Sequence, residues 1–200
     1  MEPRIPLIRE HNFAAADAGE QLVFGACRPG FPSKRVAPSE VEGWLSFMAR
    51  KDISRVVCLL PRGDMKPYRG RADGLLRQYQ NSFGESNVLH APIRDYHLAS
   101  PETLEEVLAF LALGAQAEAR VVVHCAGGSG RTGHVLAAWL VARHGLEPHQ
   151  ALATVRQTGR NPYEAVTSGN ATERDLISLL ESVQRRSTSQ SPSSQPAAMR

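Results

Sequence analysis

Hydrophobic residues follow two alternating patterns along the chain. Short apolar runs rich in β-branched residues, "QLVFGAC" at 21–27, "ISRVVCLL" at 53–60, "NVLHAPI" at 87–93 and "RVVVHC" at 120–125, end at turn residues and predict buried strands. Between them the spacing becomes helical, with Val41, Trp44, Leu45 and Met48 at i, i+3, i+4, i+7 in one segment and Leu104, Val107, Leu108 and Leu111 in another. Ser39 and Glu42 have capping-box spacing in the first segment, and Ser100 precedes Pro101 as an N-cap in the second. A further helix should follow residue 125 and stop at Gly145, with others near 148–158 and 171–183. The polar, glycine-rich stretch 61–86 reads as a surface loop carrying one short helix near 72–80. Strands alternating with helices predict an α/β fold: a central, mostly parallel (mixed) sheet of about five strands with helices on both faces.

The length of 200 residues suits one domain, expected over 1–183. From Gln184 onward "QRRSTSQSPSSQPAAMR" has almost no large apolar side chain to offset its ordering entropy, so 184–200 is expected to be a disordered tail. With 23 basic and 20 acidic residues the net charge is +3, and the basic residues are scattered. That balance suits an anionic substrate and argues against nucleic acid as a partner. Apolar runs fall short of the roughly 20 residues of a membrane span, so a monomeric cytoplasmic protein is expected. Cys27, Cys58 and Cys125 form no C-x-x-C pair, which argues against a disulfide framework or zinc site. No cofactor and no metal are expected.

Candidate chemistry concentrates in "HCAGGSGRTG" at 124–133. In open α/β sheets ligands bind where strands end and helix N-termini begin, and Cys125 occupies such a junction. Ala126, Gly127, Gly128, Ser129 and Gly130 are small enough for their amides to curl around one tetrahedral anion, and the planar fork of Arg131 matches two phosphate oxygens. The segment lacks the lysine of a nucleotide-binding phosphate loop, and it offers a nucleophile in its place. A helix N-terminus and an adjacent arginine favour the thiolate form of a cysteine, so Cys125 is expected to attack phosphorus in line. Thr132 is placed to assist departure of the sulfur, and His124 to tune it through backbone contacts.

His124, Cys125, five residues, Arg131 and Thr132 together resemble the signature of cysteine-based protein tyrosine phosphatases, in particular the small dual-specificity type. The similarity runs from about residue 13 to 180. It implies a phosphocysteine intermediate and an aspartic acid on a loop between a strand and the long helix; Asp95, thirty residues ahead of Cys125, matches. Arg156 is similar to the family's arginine after the helix, and Asn170 to its loop asparagine, with Asn161 as competitor. Asp64 and Asp73 are fallback acids, more simply read as solvated loop charges. Cys58 is read as core packing, the sharper alternative being a disulfide partner for oxidised Cys125.

The expected function is hydrolysis of phosphate monoesters on proteins, at phosphotyrosine and also at phosphoserine or phosphothreonine. The alternatives are a phosphatase for a small metabolite or phosphoinositide, and a phosphate-binding module with little turnover. Residues 126–130 carry no lysine or arginine, which disfavours inositides.

Overall fold

The structure is a computed structural model and describes residues 9–68 and 74–190. Five strands, β1 (Ala14–Ala15), β2 (Val23–Cys27), β3 (Ile53–Cys58), β4 (Val88–His90) and β5 (Arg120–Cys125), form one sheet in the order β1-β2-β5-β3-β4. Only β1 runs antiparallel to its neighbour; the other pairs are parallel. The expected α/β architecture is therefore present. The helices are α1 (Pro38–Arg50), α2 (Gly74–Phe83), α3 (Pro101–Gln116), α4 (Gly130–His144), α5 (Pro148–Gln157), α6 (Glu164–Thr167) and α7 (Glu173–Gln190). None of the described helices is long and apolar enough to cross a membrane.

Strand β5 lies at the centre, and Val121, Val122 and Val123 are fully buried because both faces of the sheet are covered. One face packs Val121, Val123 and Cys125 against α3, α4, α5 and α7; the other packs Val122, Val56 and Cys58 against α1 and α2. Helix α4 is the axis of the first face, with every residue from Gly130 to Val141 buried. A helix enclosed on all sides shows no polar stripe, which is why "GRTGHVLAAWLV" is small or apolar almost throughout. Gly145 ends it in the left-handed conformation, φ 66°.

Three expectations change. The first helix is capped two residues earlier, with Ala37 as N-cap and its N–H donated to Glu40, because Pro38 takes the first helical position and puts Ser39 inside. The short helix expected near 72–80 spans Gly74–Phe83, and it packs Leu75 and Tyr79 into the core where polar composition suggested a surface position. Helix α7 continues through Gln190, past the expected start of the tail at Gln184. There Gln184 donates to Glu147, and Arg186 pairs with Glu105, so side-chain bonds to α3 and to the start of α5 extend a helix that apolar content alone would not.

Two buried imidazoles flank the root of α4. His134 donates from Nδ1 to the Gly130 carbonyl at 3.2 Å and accepts the Ala99 N–H at Nε2, 3.1 Å. His124 lies 3.1 Å from the Tyr79 hydroxyl and packs edge-on against Trp44. Burial pushes both down to about 4, from an ordinary value of 6.5. The unfolded chain therefore takes up protons below about pH 6.5 that the folded chain refuses until about pH 4. Their contribution to stability is complete above that window and is lost as pH falls through it. Urea midpoints should drop between pH 7 and pH 4.5, and His134→Gln, which keeps an acceptor for Ala99, should flatten part of the drop. In the same assay at pH 7, Leu136→Ala in fully buried α4 should cost about 2–5 kcal/mol.

Candidate active site

Strand β5 carries Cys125, 3% exposed, to the carboxyl edge of the sheet, and α4 begins five residues later. The connecting loop is held from outside by its carbonyls. Ala126 O accepts from the Arg28 amide (3.0 Å), Gly127 O from Asn12 Nδ2 (2.9 Å), Gly128 O from Arg160 Nη1 (2.6 Å) and Ser129 O from the Gly133 amide (2.7 Å). The amides of Gly127, Gly128 and Ser129 have no acceptor among the described residues, which leaves them for an anion. Gly128 sits at φ 70°, and a Cβ there would come within 2.5 Å of the Ala26 carbonyl, so both conformation and space require glycine. A Cβ on Gly130 would overlap the Glu164 carboxylate.

Arg131 follows in the first turn of α4, its side chain 2% exposed. Nη1 contacts Asp64 Oδ2 at 2.9 Å and the Ile93 carbonyl at 3.2 Å, and Nη2 contacts Asp95 Oδ1 at 2.8 Å. Asp95 thus reaches the site as expected, and Asp64, read from sequence as a solvated charge, joins it. Thr132 is fully buried, and its hydroxyl has no partner among the described residues. An unsatisfied buried hydroxyl is costly, and this one is not within hydrogen-bond distance of the Cys125 sulfur toward which the sequence reading directed it. His124 Nδ1 lies 3.3 Å from the Cys125 carbonyl, the backbone contact expected of it.

Sequence reasoning missed Arg160. It is 3% exposed and sends its guanidinium to the carbonyls of Asn12, Ala14, Gly25 and Gly128. Desolvation lowers it to about 10, an effect partly opposed by the nearby Cys125 and Cys27. Arg156, expected in this place, is exposed and lies over the Tyr163 ring at 5.8 Å. Asn170 is exposed and bonds back through its amide to Ala165, whereas the Asn161 amide contacts Ser129 Oγ at 3.2 Å. The competitor's backbone therefore reaches the loop, while its side chain accepts from the Tyr163 amide. Asp73 lies outside the described residues. Cys58 packs in the α1/α2 cluster and Cys125 in the opposite one, and Cys27 is the register partner of Cys125.

Replacing Arg160 should leave several carbonyls without donors, each costing about 1–3 kcal/mol. Arg160→Ala is expected to lose about 3 kcal/mol or more in chemical denaturation, and Arg156→Ala to stay within about 0.5 kcal/mol. Equal effects would remove the loop-holding role of Arg160.

Comparison with known proteins agrees with this geometry. The family described as "Polymorphic toxin system, DSP-PTPase phosphatase" matches residues 35–145, more than half of the chain. The crystal structure of Tk-PTP in a glycine-to-alanine mutant form is similar at TM-score 0.61 and 25% identity, covering 87% of this chain and 95% of that one. Kinase associated phosphatase, in a form with its catalytic-site cysteine replaced by serine, shares the fold at TM-score 0.62 and 21% identity, with 83% and 87% covered. An uncharacterized protein of Methanocaldococcus jannaschii is 43% identical over 52 residues. That match covers 26% of this chain and only a third of the relative's length. With its cysteine, amide cradle and arginine at one strand-to-helix junction, the chain belongs to the DSP-PTPase phosphatase family, the small dual-specificity-like type of cysteine-based phosphatase.

Proposed function

We propose that the chain hydrolyses phosphate monoesters on proteins through a phosphocysteine intermediate. The observation that carries this reading is the loop 126–130 directly after Cys125, whose carbonyls are taken from outside while the amides of Gly127, Gly128 and Ser129 have no acceptor among the described residues. Such a cradle stabilises charge on the equatorial oxygens of a transferring phosphoryl group without needing to reorganise. The Cys125 sulfur attacks phosphorus, the bond from phosphorus to the ester oxygen breaks, and Asp95 gives its proton to the departing oxygen. Water then attacks the phosphocysteine, its proton passing to the Asp95 carboxylate, and the sulfur leaves with help from the Thr132 hydroxyl.

Asp64 and Asp95 both occupy Arg131, and a phosphate taking the same fork must displace them. The two carboxylates thus hold the guanidinium in place before substrate arrives, and Asp95, on the loop between β4 and α3, is the one assigned the proton. Asn161 supports the loop through Ser129, the role that the sequence suggested for Asn170.

The direct experiment is hydrolysis of p-nitrophenyl phosphate in the presence of EDTA. Parent activity should persist under chelation and disappear in Cys125→Ser; a parent as inactive as the variant would favour phosphate binding without turnover. Asp95→Ala should lower kcat about 10²- to 10³-fold and flatten the basic limb of the pH profile. If Asp64→Asn flattens that limb and Asp95→Ala does not, the acid is Asp64. Thr132→Ala should slow the second step, giving a burst of nitrophenol close to one per enzyme.

A further inference from the structure

Helices α3 and α7 both pack on α4 and make little contact with each other. Between them lies a cleft of about 360 Å³, to which the loop 126–130 and Arg131 contribute nothing. Its floor is Trp139 and Ala142 of α4, and its walls include Leu104 and Leu108 of α3 and Val183 of α7. Three charged side chains stand among these apolar ones: Glu105, Arg143 and Arg186.

The cleft is built into the packing of the helices. Trp139 is 2% exposed, and its Nε1 donates to Glu20 at 2.8 Å, so the indole is pinned beneath the opening. Glu105 of α3 and Arg186 of α7 pair with each other and tie the two walls together. Leu108 and Ala142 are only partly buried, which leaves apolar surface inside the cleft in contact with water. With Glu105 answered by Arg186, Arg143 is the cation left over: it is exposed in the last turn of α4 and has no ion-pair partner among the described residues.

Size and charge together select the occupant. The volume falls within the range of about 300–1,000 Å³ typical of small-molecule sites. A stable protein partner covers about 20–30 residues a side, against the twelve that line this cleft, and it would meet the Glu105–Arg186 pair joining the walls. An apolar floor with one unanswered guanidinium at its edge suits a molecule that is apolar along its length and anionic at one end, and the planar fork of arginine matches a carboxylate. We propose that the cleft between α3 and α7 binds a small alkyl carboxylate, its chain on Trp139, Leu108 and Val183 and its carboxylate on Arg143. None of these residues takes part in the phosphate site, so such binding stands whether or not the chain is a protein phosphatase.

The test uses decanoate brominated near its methyl end, because bromine in contact with an indole quenches its fluorescence. Of the two tryptophans, Trp44 packs with Tyr79 in the α1/α2 cluster, and only Trp139 lines the cleft. Saturable, partial quenching is expected, tightening about tenfold from the octanoate to the decanoate analogue as two methylenes are added. Decanol should compete about fivefold less well than decanoate. Arg143→Glu should weaken decanoate about tenfold and leave decanol unchanged. Ala142→Phe, which fills the floor, should abolish quenching in a chain that keeps its urea midpoint; if that variant does not fold, Arg143→Glu at its exposed position carries the same test. Absence of saturable quenching, equal competition by decanol and decanoate, or quenching indifferent to both substitutions would overturn the proposal. A chain that sediments as a dimer, and as a monomer in Ala142→Phe, would give the cleft to a second copy and overturn it as well.

Discussion

The structure depends on one buried cation. Arg160 takes an arginine out of water beside the central sheet, an unfavourable placement that its two Nη groups offset by reaching carbonyls, while its Nε has no partner among the described residues. Its partners come from three separate places: Asn12 and Ala14 at the start of the chain, Gly25 in β2 and Gly128 in the loop. A single guanidinium thereby fixes the distance between the entry segment, the sheet edge and the phosphate loop. Turning the Gly128 carbonyl toward Arg160 orients the neighbouring peptide unit, so the same bond that satisfies the arginine points backbone donors at the site. Asn12 adds a second tie to Gly127 O, and the Arg28 amide a third to Ala126 O.

This arrangement explains why the site can be rigid and yet polar. An amide cradle turned to solvent would collapse onto its own carbonyls; here those carbonyls are already taken from behind. The buried sheet supplies the stiff mount. Strands β2 and β3 hold β5 on both sides, with Cys27 opposite Cys125 and Cys58 opposite His124. Trp44 reaches across from α1 to the Cys27 carbonyl, and Tyr79 from α2 to His124, so the second face of the domain also steadies the strand that carries Cys125.

Much of this was legible in the sequence, and the boundary follows contact range. The loop could be read because its chemistry is contiguous: a cysteine, small residues, an arginine and a helix occupy one short stretch after a buried strand. The Ser100 cap and the Gly145 stop are also local, and both appear where expected. Arg160 could not be read, because its partners lie up to 148 residues away and nothing in "TGRNPYE" marks its arginine as buried while Arg156 stays in water. Asp64 could be named only as a fallback for the same reason, 67 residues from Arg131 inside a polar segment. Tyr79 escaped because a helix contacting the sheet through few residues keeps a polar composition. Adjacency of their strands suggested pairing Cys58 with Cys125, and the register sets Cys58 beside His124 and Cys27 beside Cys125.

The balance of charge within the site ties rigidity to turnover. Arg131 is almost fully enclosed and is flanked by two carboxylates that are partly open to water, 32% exposed at Asp64 and 45% at Asp95. Burial fixes the cation, whereas the exposed anions can exchange a protein partner for solvent at modest cost, since partly solvated ion pairs are individually weak. The dianion of a substrate competes for the fork with a larger charge and with the loop amides behind it. The enclosed arginine therefore stays fixed, and the carboxylates resting on it are the groups left in contact with water.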